Sequence, residues 1–104
     1  MSTIGNNGIE VRRTDAFVRW LENLRDVTAR ARIAKRIDRV AQGNFGDRKP
    51  VGDGVSELRL AFGPGYRVYY TERNGAVIIL LCGGDKGSQE RDITRAKAMA
   101  KEIE

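Results

Sequence analysis

The sequence predicts an α+β fold: a small antiparallel meander sheet with a strand at its N-terminal edge, a two-helix hairpin packed on one face, and a short C-terminal helix. Three observations predict it. Residues 56–73 alternate apolar and polar side chains on both sides of a Gly-Pro-Gly turn, which is typical of a β-hairpin. Residues 76–82 are continuously apolar, as in a strand covered on both faces. Residues 15–42 and 89–103 carry apolar side chains at helical spacing.

The chain has 104 residues, which suits one modest hydrophobic core, and we expect a single domain over residues 9–104. No apolar run approaches the ~20 residues of a membrane span, and the N-terminus lacks the pattern of a signal peptide. We therefore expect a cytoplasmic protein with no membrane partner. The net charge of +5 favours polyanionic partners such as nucleic acid.

Two residue counts exclude whole classes of chemistry. The chain has no histidine, so histidine-based acid–base catalysis and histidine-ligated metal sites are impossible. Cys82 is the lone cysteine, which excludes internal disulfides and cysteine-based zinc sites, and its apolar surroundings indicate a buried structural thiol. We expect no metal and no cofactor. Any catalysis has to come from Glu, Asp, Lys, Arg or Tyr side chains.

The N-terminal region begins with small polar residues, and we expect residues 1–8 to be flexible. Residues 9–13 then alternate over a short stretch, which predicts the edge strand. Thr14 or Asp15 can cap a first helix over about 15–24.

A second helix begins at Asp26 or Thr28 and ends near Gly43, and the short connection predicts an antiparallel pair of helices. Its apolar stripe consists of Ile33, Ile37, Val40 and Ala41. Its remaining surface carries Arg30, Arg32, Lys35, Arg36 and Arg39. Two interpretations of this surface are open: a nucleic-acid contact, or a solvated helix face that also docks a partner. The spread of the basic residues around the helix favours the second.

Residues 43–55 form a glycine-rich connection, and loops of this length in compact domains are often functional. Arg48 and Lys49 lie in it, just ahead of the hairpin. They are candidate RNA-binding residues because they can reach a phosphate backbone. That they only solubilise the loop is an equally open interpretation.

Within the hairpin, side-chain alternation separates an apolar face from a polar face that carries Glu57, Arg59, Arg67 and Tyr69. Each arginine can direct two donors at phosphate oxygens. Glu57 is a candidate general base if no ion pair holds it, and Tyr69 is a neutral donor or a surface on which a base can stack. A structural salt-bridge network across the hairpin explains the same charges. Both interpretations are open from the residues alone.

The rest of the chain begins with Asn74-Gly75, a strong hairpin signal that leads into the apolar run. The run predicts a central strand and a third strand of the meander. A turn over 83–87, with Lys86 in it, follows the strand. Ser88 can then cap a final helix over about 89–103.

Three ordered segments carry a family resemblance. They are Val-Gly-Asp-Gly-Val-Ser-Glu-Leu-Arg at 51–59, Gly-Pro-Gly-Tyr-Arg-Val-Tyr at 63–69 and Gly-Gly-Asp-Lys at 83–86, followed by Gln89 and Asp92-Ile93. With this order of strands and helices, the chain over about 9–103 resembles the RelE/ParE toxin superfamily. Within it, the chain is most similar to the HigB-type, phage Gp49-like addiction module killer branch, which implies a RelE-like domain.

The resemblance implies the toxin component of a type II toxin–antitoxin module, namely a metal-independent, ribosome-dependent endoribonuclease that inhibits translation by cutting mRNA. By position, Arg59 and Arg67 are similar to the phosphate-contacting arginines of that family, and Lys86 is similar to a basic residue after the last strand. The sequence departs from the RelE branch at Glu57, where that branch has lysine. It also departs near Asp92, where some relatives have an aromatic acid–base residue.

The same resemblance implies partners. These are a cognate helix-turn-helix antitoxin, the ribosome and mRNA, with operator DNA reached only through the antitoxin. An antitoxin that covers the sheet face and one that docks on the arginine-rich helix are both open. Two other functions are open as well: a ParE-like, non-enzymatic poison that binds DNA gyrase, and a binding module without activity. The basic, polar sheet face favours the endonuclease.

Overall fold

The computed structural model describes residues 2–103. Met1, where the predicted flexible segment begins, and Glu104, where the predicted domain ends, lie outside them. The described elements are β1 (Ser2–Ile4), β2 (Glu10–Arg13), α1 (Asp15–Glu22), α2 (Val27–Ala41), β3 (Arg48–Gly52), β4 (Val55–Arg59), β5 (Tyr66–Arg73), β6 (Val77–Asp85), one 3₁₀ turn (Lys86–Ser88) and α3 (Gln89–Glu102).

The α+β class is confirmed, but the sheet is not purely a meander. Its order is β1-β2-β6-β5-β4-β3, and its neighbouring strands are antiparallel except β2 and β6, which are parallel. The meander of β4, β5 and β6 is present, with β6 in the centre as predicted. The prediction that β2 is the edge strand is wrong, because β1 pairs with its outer side. The chain between β2 and β6 includes the two helices, which supply the crossover that a parallel pair requires.

The N-terminal segment predicted to be flexible contains strand β1. Thr3 pairs with Val11 in the antiparallel register, and the Thr3 hydroxyl accepts a hydrogen bond of 2.9 Å from Arg13 Nη1. The Gly5 amide closes the connection by donating to the Ile9 carbonyl at 2.8 Å. The prediction was based only on the composition of residues 1–8. It did not take into account that β2 has a free edge, with which even a three-residue strand can pair.

The glycine-rich connection also contains a strand, β3, which the sequence analysis assigned to a loop. It pairs with β4 and occupies the outer edge of the sheet, where Pro50 is tolerated because an edge strand leaves some amides unpaired. The turn between β3 and β4 takes positive φ at Gly52, Asp53 and Gly54, with values of 100°, 55° and 76°. The glycines that indicated a loop therefore form a tight turn.

The predicted starts of the first two helices are confirmed. The Thr14 hydroxyl accepts from the Phe17 amide, and the Asp26 carboxylate accepts from the Ala29 amide, both at 3.1 Å. The prediction that Ser88 caps α3 is wrong, because its side chain makes no capping bond to that helix. Asp85 instead accepts from the amides of Gly87 and Ser88 and caps the 3₁₀ turn ahead of α3.

The sheet has two covered faces. On one, α1 and α2 contribute Phe17 and Ile33 to a hydrophobic cluster with β2, β4, β5 and β6. On the other, α3 contributes Ala96 and Ala100 to a second cluster around Leu81. We call these the α1/α2 face and the α3 face. No helix among residues 2–103 has the length and apolarity needed to cross a membrane.

Two glycines predicted to lie in a turn, Gly83 and Gly84, belong to β6. A Cβ on Gly83 would overlap the ring of Trp20, and one on Gly84 would overlap the carboxylate of Asp92. Helices on opposite faces approach the strand at these two positions. Glycine is needed there for close packing rather than for a turn.

Candidate functional site

The register of β4 and β5 brings the predicted polar residues together. Glu57 lies opposite Tyr69, and Arg59 lies opposite Arg67. Paired residues of an antiparallel sheet point to the same side, so all four lie on the α3 face. The prediction that they share a face is confirmed.

Glu57 is the centre of this group and is only 1% exposed. Its two carboxylate oxygens accept hydrogen bonds of 3.1 and 3.0 Å from Gln89 Nε2 at the start of α3. Its Oε1 atom also lies 3.7 Å from Arg59 Nε and 4.0 Å from Arg67 Nε. The ion pair that the sequence analysis left open is therefore present. A general base has to lie within hydrogen-bond distance of the proton that it removes. Because the Glu57 carboxylate is enclosed, it is better placed to orient Arg59 and Arg67 than to act as a base.

The two arginines differ in accessibility. Arg67 is 8% exposed, and its Nη1 donates to the carbonyls of Gly65 and Tyr66 at 3.1 and 3.2 Å. Its Nε is buried with no hydrogen-bond partner among the described residues. The Arg59 side chain is 38% exposed. Arg59 is thus the accessible cation, and Arg67 is a fixed charge beneath the surface.

Tyr69 is completely buried, and its hydroxyl has no hydrogen-bond partner among residues 2–103. Burial raises the pKa of Tyr69 above its usual value of 10.0, and the neighbouring charge of Glu57 adds to the increase. The ring has no exposed surface on which a base could stack, and the alternative role of Tyr69 as a neutral donor stays a prediction. The strand alternation identified its face correctly but could not show that α3 covers it.

Lys86 is exposed at the start of the 3₁₀ turn, next to the hairpin turn. Its amide donates to the Pro64 carbonyl at 3.4 Å. A Cβ on Gly65 would lie 3.4 Å from Lys86 Cβ and 3.5 Å from Arg67 Nη1. The structure therefore brings Lys86 to the same end of the sheet as the two arginines.

The two candidate RNA-binding residues are separated by the sheet. Lys49 pairs with Glu57 and so lies on the α3 face, the side of the site. Arg48 pairs with Leu58 on the opposite side, where it stacks 4.0 Å from the centre of the Phe45 ring. Neighbouring side chains of a strand alternate, so β3 directs the two residues to opposite sides of the sheet. Whether either residue binds RNA stays a prediction.

Arg36 supports the site, and its role was not predicted from the sequence. From α2 this side chain donates three hydrogen bonds to backbone carbonyls, at 2.9 Å to Phe45, 2.9 Å to Arg59 and 2.7 Å to Asp47. Partial burial lowers the pKa of Arg36. The residue ties the end of β4, and with it Arg59, to α2. A sequence signal exists: Arg36 directly precedes Ile37 of the apolar stripe and so borders the buried side of α2.

At the surface, Arg59 and Arg67 line an open cavity of about 210 Å³ together with Asp47, Leu60, Ala61 and Gly65. The planar guanidinium group binds two oxygens of a carboxylate or a phosphate by paired hydrogen bonds. The buried Glu57 carboxylate lies beside both guanidinium groups, and the exposed Lys86 adds a third positive charge at the same end of the sheet. Chemically, the arrangement suits a phosphate or another oxyanion.

Fold and site together define a small α+β domain with a cluster of basic side chains around a buried glutamate at one end of its sheet. Comparison with known proteins gives its family: residues 19–104 match the family model described as Phage derived protein Gp49-like (DUF891). The chain belongs to this Gp49-like family, and the matched region contains every site residue named above.

A relative is known from Haemophilus influenzae (strain ATCC 51907 / DSM 11121 / KW20 / Rd), where it is described as an uncharacterized protein. It is 50% identical to this chain over 95 residues, which cover 91% of this chain and 96% of the relative. No solved structure matches the chain significantly.

Proposed function

We propose that this protein is the toxin of a type II toxin–antitoxin module, of the HigB type within the RelE/ParE superfamily, and that it cuts mRNA on the ribosome. One observation carries the proposal: Arg59 and Arg67 face each other across β4 and β5 at an open cavity, with Glu57 buried beneath them. Membership of the Gp49-like family supports the general class.

In metal-independent RNA cleavage, the 2′-hydroxyl loses its proton as its oxygen bonds to the adjacent phosphorus, and the 5′-oxygen gains a proton as its bond to phosphorus breaks. Negative charge on the phosphoryl oxygens increases in the transition state, and fixed positive groups aimed at it are usually the largest catalytic contribution. We assign phosphate contact to the exposed Arg59. Arg67 supplies a fixed charge below it, and Lys86 supplies a third cation from the 3₁₀ turn.

In this mechanism Glu57 is a positioning residue. Its carboxylate offsets the two guanidinium charges and orients them, and Gln89 holds it in place from α3. Tyr69 supports this arrangement from within the core. Lys49, on the same face, can contact the RNA backbone beside the cleaved bond.

The ribosome orients the substrate in this proposal, so we expect weak activity on free RNA. The proposed partners are the ribosome, mRNA and a helix-turn-helix antitoxin that links the toxin to operator DNA. The proposed place of action is the cytoplasm, where translation occurs.

The experiment is induced expression in a bacterial host, with growth and transcript 5′ ends measured for wild type, Arg59→Ala and Arg12→Ala. Arg59 is accessible, so its removal leaves the core intact. Arg12 is a matched control, an exposed arginine that also pairs with a glutamate on its own strand. We expect growth arrest and new 5′ ends from wild type and Arg12→Ala but not from Arg59→Ala. Arrest by all three without new 5′ ends would instead indicate a protein target such as gyrase.

A further inference from the structure

The cavity at Arg59 and Arg67 continues into a second, larger depression along α2. This second cavity, of about 430 Å³, shares Leu60 and Ala61 with the first. We call it the α2 groove; its walls are Arg32, Lys35, Arg36, Arg39, Leu60, Ala61 and Phe62. A third cavity of about 230 Å³ shares two arginines with the α2 groove and Asp47 with the site cavity. The depressions thus adjoin one another from the site along α2, between Arg32 and Arg39.

The positive charge of the α2 groove is not neutralised within the described part of the chain. Arg32, Lys35 and Arg39 make no salt bridge there. The only carboxylate lining the three described cavities is that of Asp47. A groove lined by one sign of charge concentrates counter-ions of the opposite sign.

The spacing of the charges is regular. Arg32, Lys35 and Arg39 are three and four residues apart, so they lie along one side of α2. With about 1.5 Å of rise per residue, they extend over ~10 Å of the helix. The Arg32 guanidinium lies 4.7 Å from the centre of the Phe62 ring. A basic groove with an aromatic residue in its wall is the usual composition of a single-strand-binding surface.

We propose that the α2 groove binds the sugar–phosphate backbone of single-stranded RNA, as an extension of the site at Arg59 and Arg67. This proposal rests on the proposed function, because it follows the same RNA strand outward from the cleaved bond. An RNA strand that is held at Arg59 has to leave the site cavity. Leu60 and Ala61 line both the site cavity and the α2 groove, so the strand can pass directly from one into the other. This continuity favours RNA over an acidic protein segment as the ligand of the groove. Arg36 lines the α2 groove and donates a hydrogen bond to the Arg59 carbonyl, so it holds the groove and the site in a fixed position relative to each other.

The test measures RNA binding by purified protein with fluorescence anisotropy. The probes are a labelled tetranucleotide and a labelled dodecanucleotide, both 2′-O-methylated so that they cannot be cleaved. The groove variant is Arg32→Gln/Lys35→Gln/Arg39→Gln, and glutamine preserves helix propensity. The control variant, Arg12→Gln/Lys97→Gln/Lys101→Gln, removes the same charge outside the groove. Circular dichroism checks that both variants are folded.

We expect the groove variant to bind the dodecanucleotide roughly 10- to 100-fold more weakly than wild type near 0.1 M salt. The slope of log affinity against log salt should become shallower by about 2, because three phosphate contacts are lost. Binding of the tetranucleotide should change much less, and the control variant should retain the wild-type salt slope.

Equal affinity and equal slope for the wild type and the groove variant would overturn the proposal. So would a groove variant that binds the dodecanucleotide normally but loses binding of poly-glutamate, since that result assigns the groove to an acidic protein segment. Transcript mapping in cells separates this test from the proposed function. If wild type shows the expected RNA binding but generates no new 5′ ends, the endonuclease proposal fails while the groove is retained as an RNA-binding surface.

Discussion

The two faces of the sheet come from the same strands but differ in chemistry. The α1/α2 face is apolar across its buried interior, with Phe17 and Ile33 completely enclosed. The α3 face is apolar at one end only; at the other it contains the buried Glu57, Arg67 and Tyr69. The difference shows that the two faces of one sheet can have different roles in a small domain. One face supplies hydrophobic stabilisation, and the other holds charges at fixed positions beside an opening to solvent.

The strongest test of this comparison is Phe17→Ala on the α1/α2 face. Removing this enclosed ring should lower the free energy of unfolding by about 3–5 kcal/mol, through lost apolar burial and the cavity that is left. Urea denaturation measures it. The matched control is Val27→Ala, where the side chain is 65% exposed and the change should stay within about 0.5 kcal/mol. Similar losses for both variants would contradict the assignment of the main core to this face.

The next largest effect should come from Glu57→Ala on the α3 face. It leaves Arg67 buried without its carboxylate, and breaking a buried ion pair by removing one partner costs about 3–5 kcal/mol. Because Arg59 is partly exposed, we expect a value near the lower bound. Unlike Phe17→Ala, this variant should also abolish the proposed cleavage when assayed at a temperature where it is folded. Full cleavage by folded Glu57→Ala would show that the carboxylate does not orient the arginines.

A third test uses the thiol of the α3 face. Burial raises the pKa of Cys82 from 9.0 to about 11. The Cys82 thiol therefore keeps its proton to a higher pH in the folded state than in the unfolded state. The contribution of the neutral thiol to the free energy of unfolding is complete below pH 9.0 and is lost as the pH rises through about 11. The free energy of unfolding should fall by up to about 3 kcal/mol over this interval. Cys82→Ala measured in parallel should show a smaller decrease, and an identical decrease would contradict the prediction.

The smallest effect should come from Arg36→Met, which tests the connection between the two faces. The variant keeps much of the apolar stem but removes the hydrogen bonds to three carbonyls, and we expect a loss of about 2 kcal/mol. Hydrogen exchange should become faster at the Arg59 amide, which donates to the Asp47 carbonyl at 2.9 Å. Arg39→Met, on the same helix, serves as the control. Unchanged exchange at Arg59 would indicate that α2 does not hold the site.

Sequence could predict which residues share a face of the central hairpin. The alternation in β4 and β5 placed Glu57, Arg59, Arg67 and Tyr69 together, and the register confirms it. Alternation could not predict how deeply each residue is buried. That depends on the position of α3, which is set by contacts such as Gln89 with Glu57 that join distant parts of the chain.

The missed strands have a related cause. The segment of β3 is rich in glycine and proline, and β1 is only three residues long, so neither shows a strand period. Both form because neighbouring strands offer free edges. The parallel pairing of β2 with β6 is likewise invisible in local sequence, since the two strands are far apart along the chain. Because β3 was missed, nothing in the sequence indicated that Arg48 and Lys49 lie on opposite sides of the sheet.

The parallel pairing of β2 with β6 also constrains the order of assembly. During synthesis β2 emerges early, but its inner neighbour is β6, which is made only after the helices and the β4–β5 hairpin. Gln89 follows later still, and with it the hydrogen bonds that fix Glu57. Long-range pairings form late because the intervening chain has to be ordered first. A nascent chain therefore lacks an organised site until α3 has been synthesised, after all six strands of the sheet.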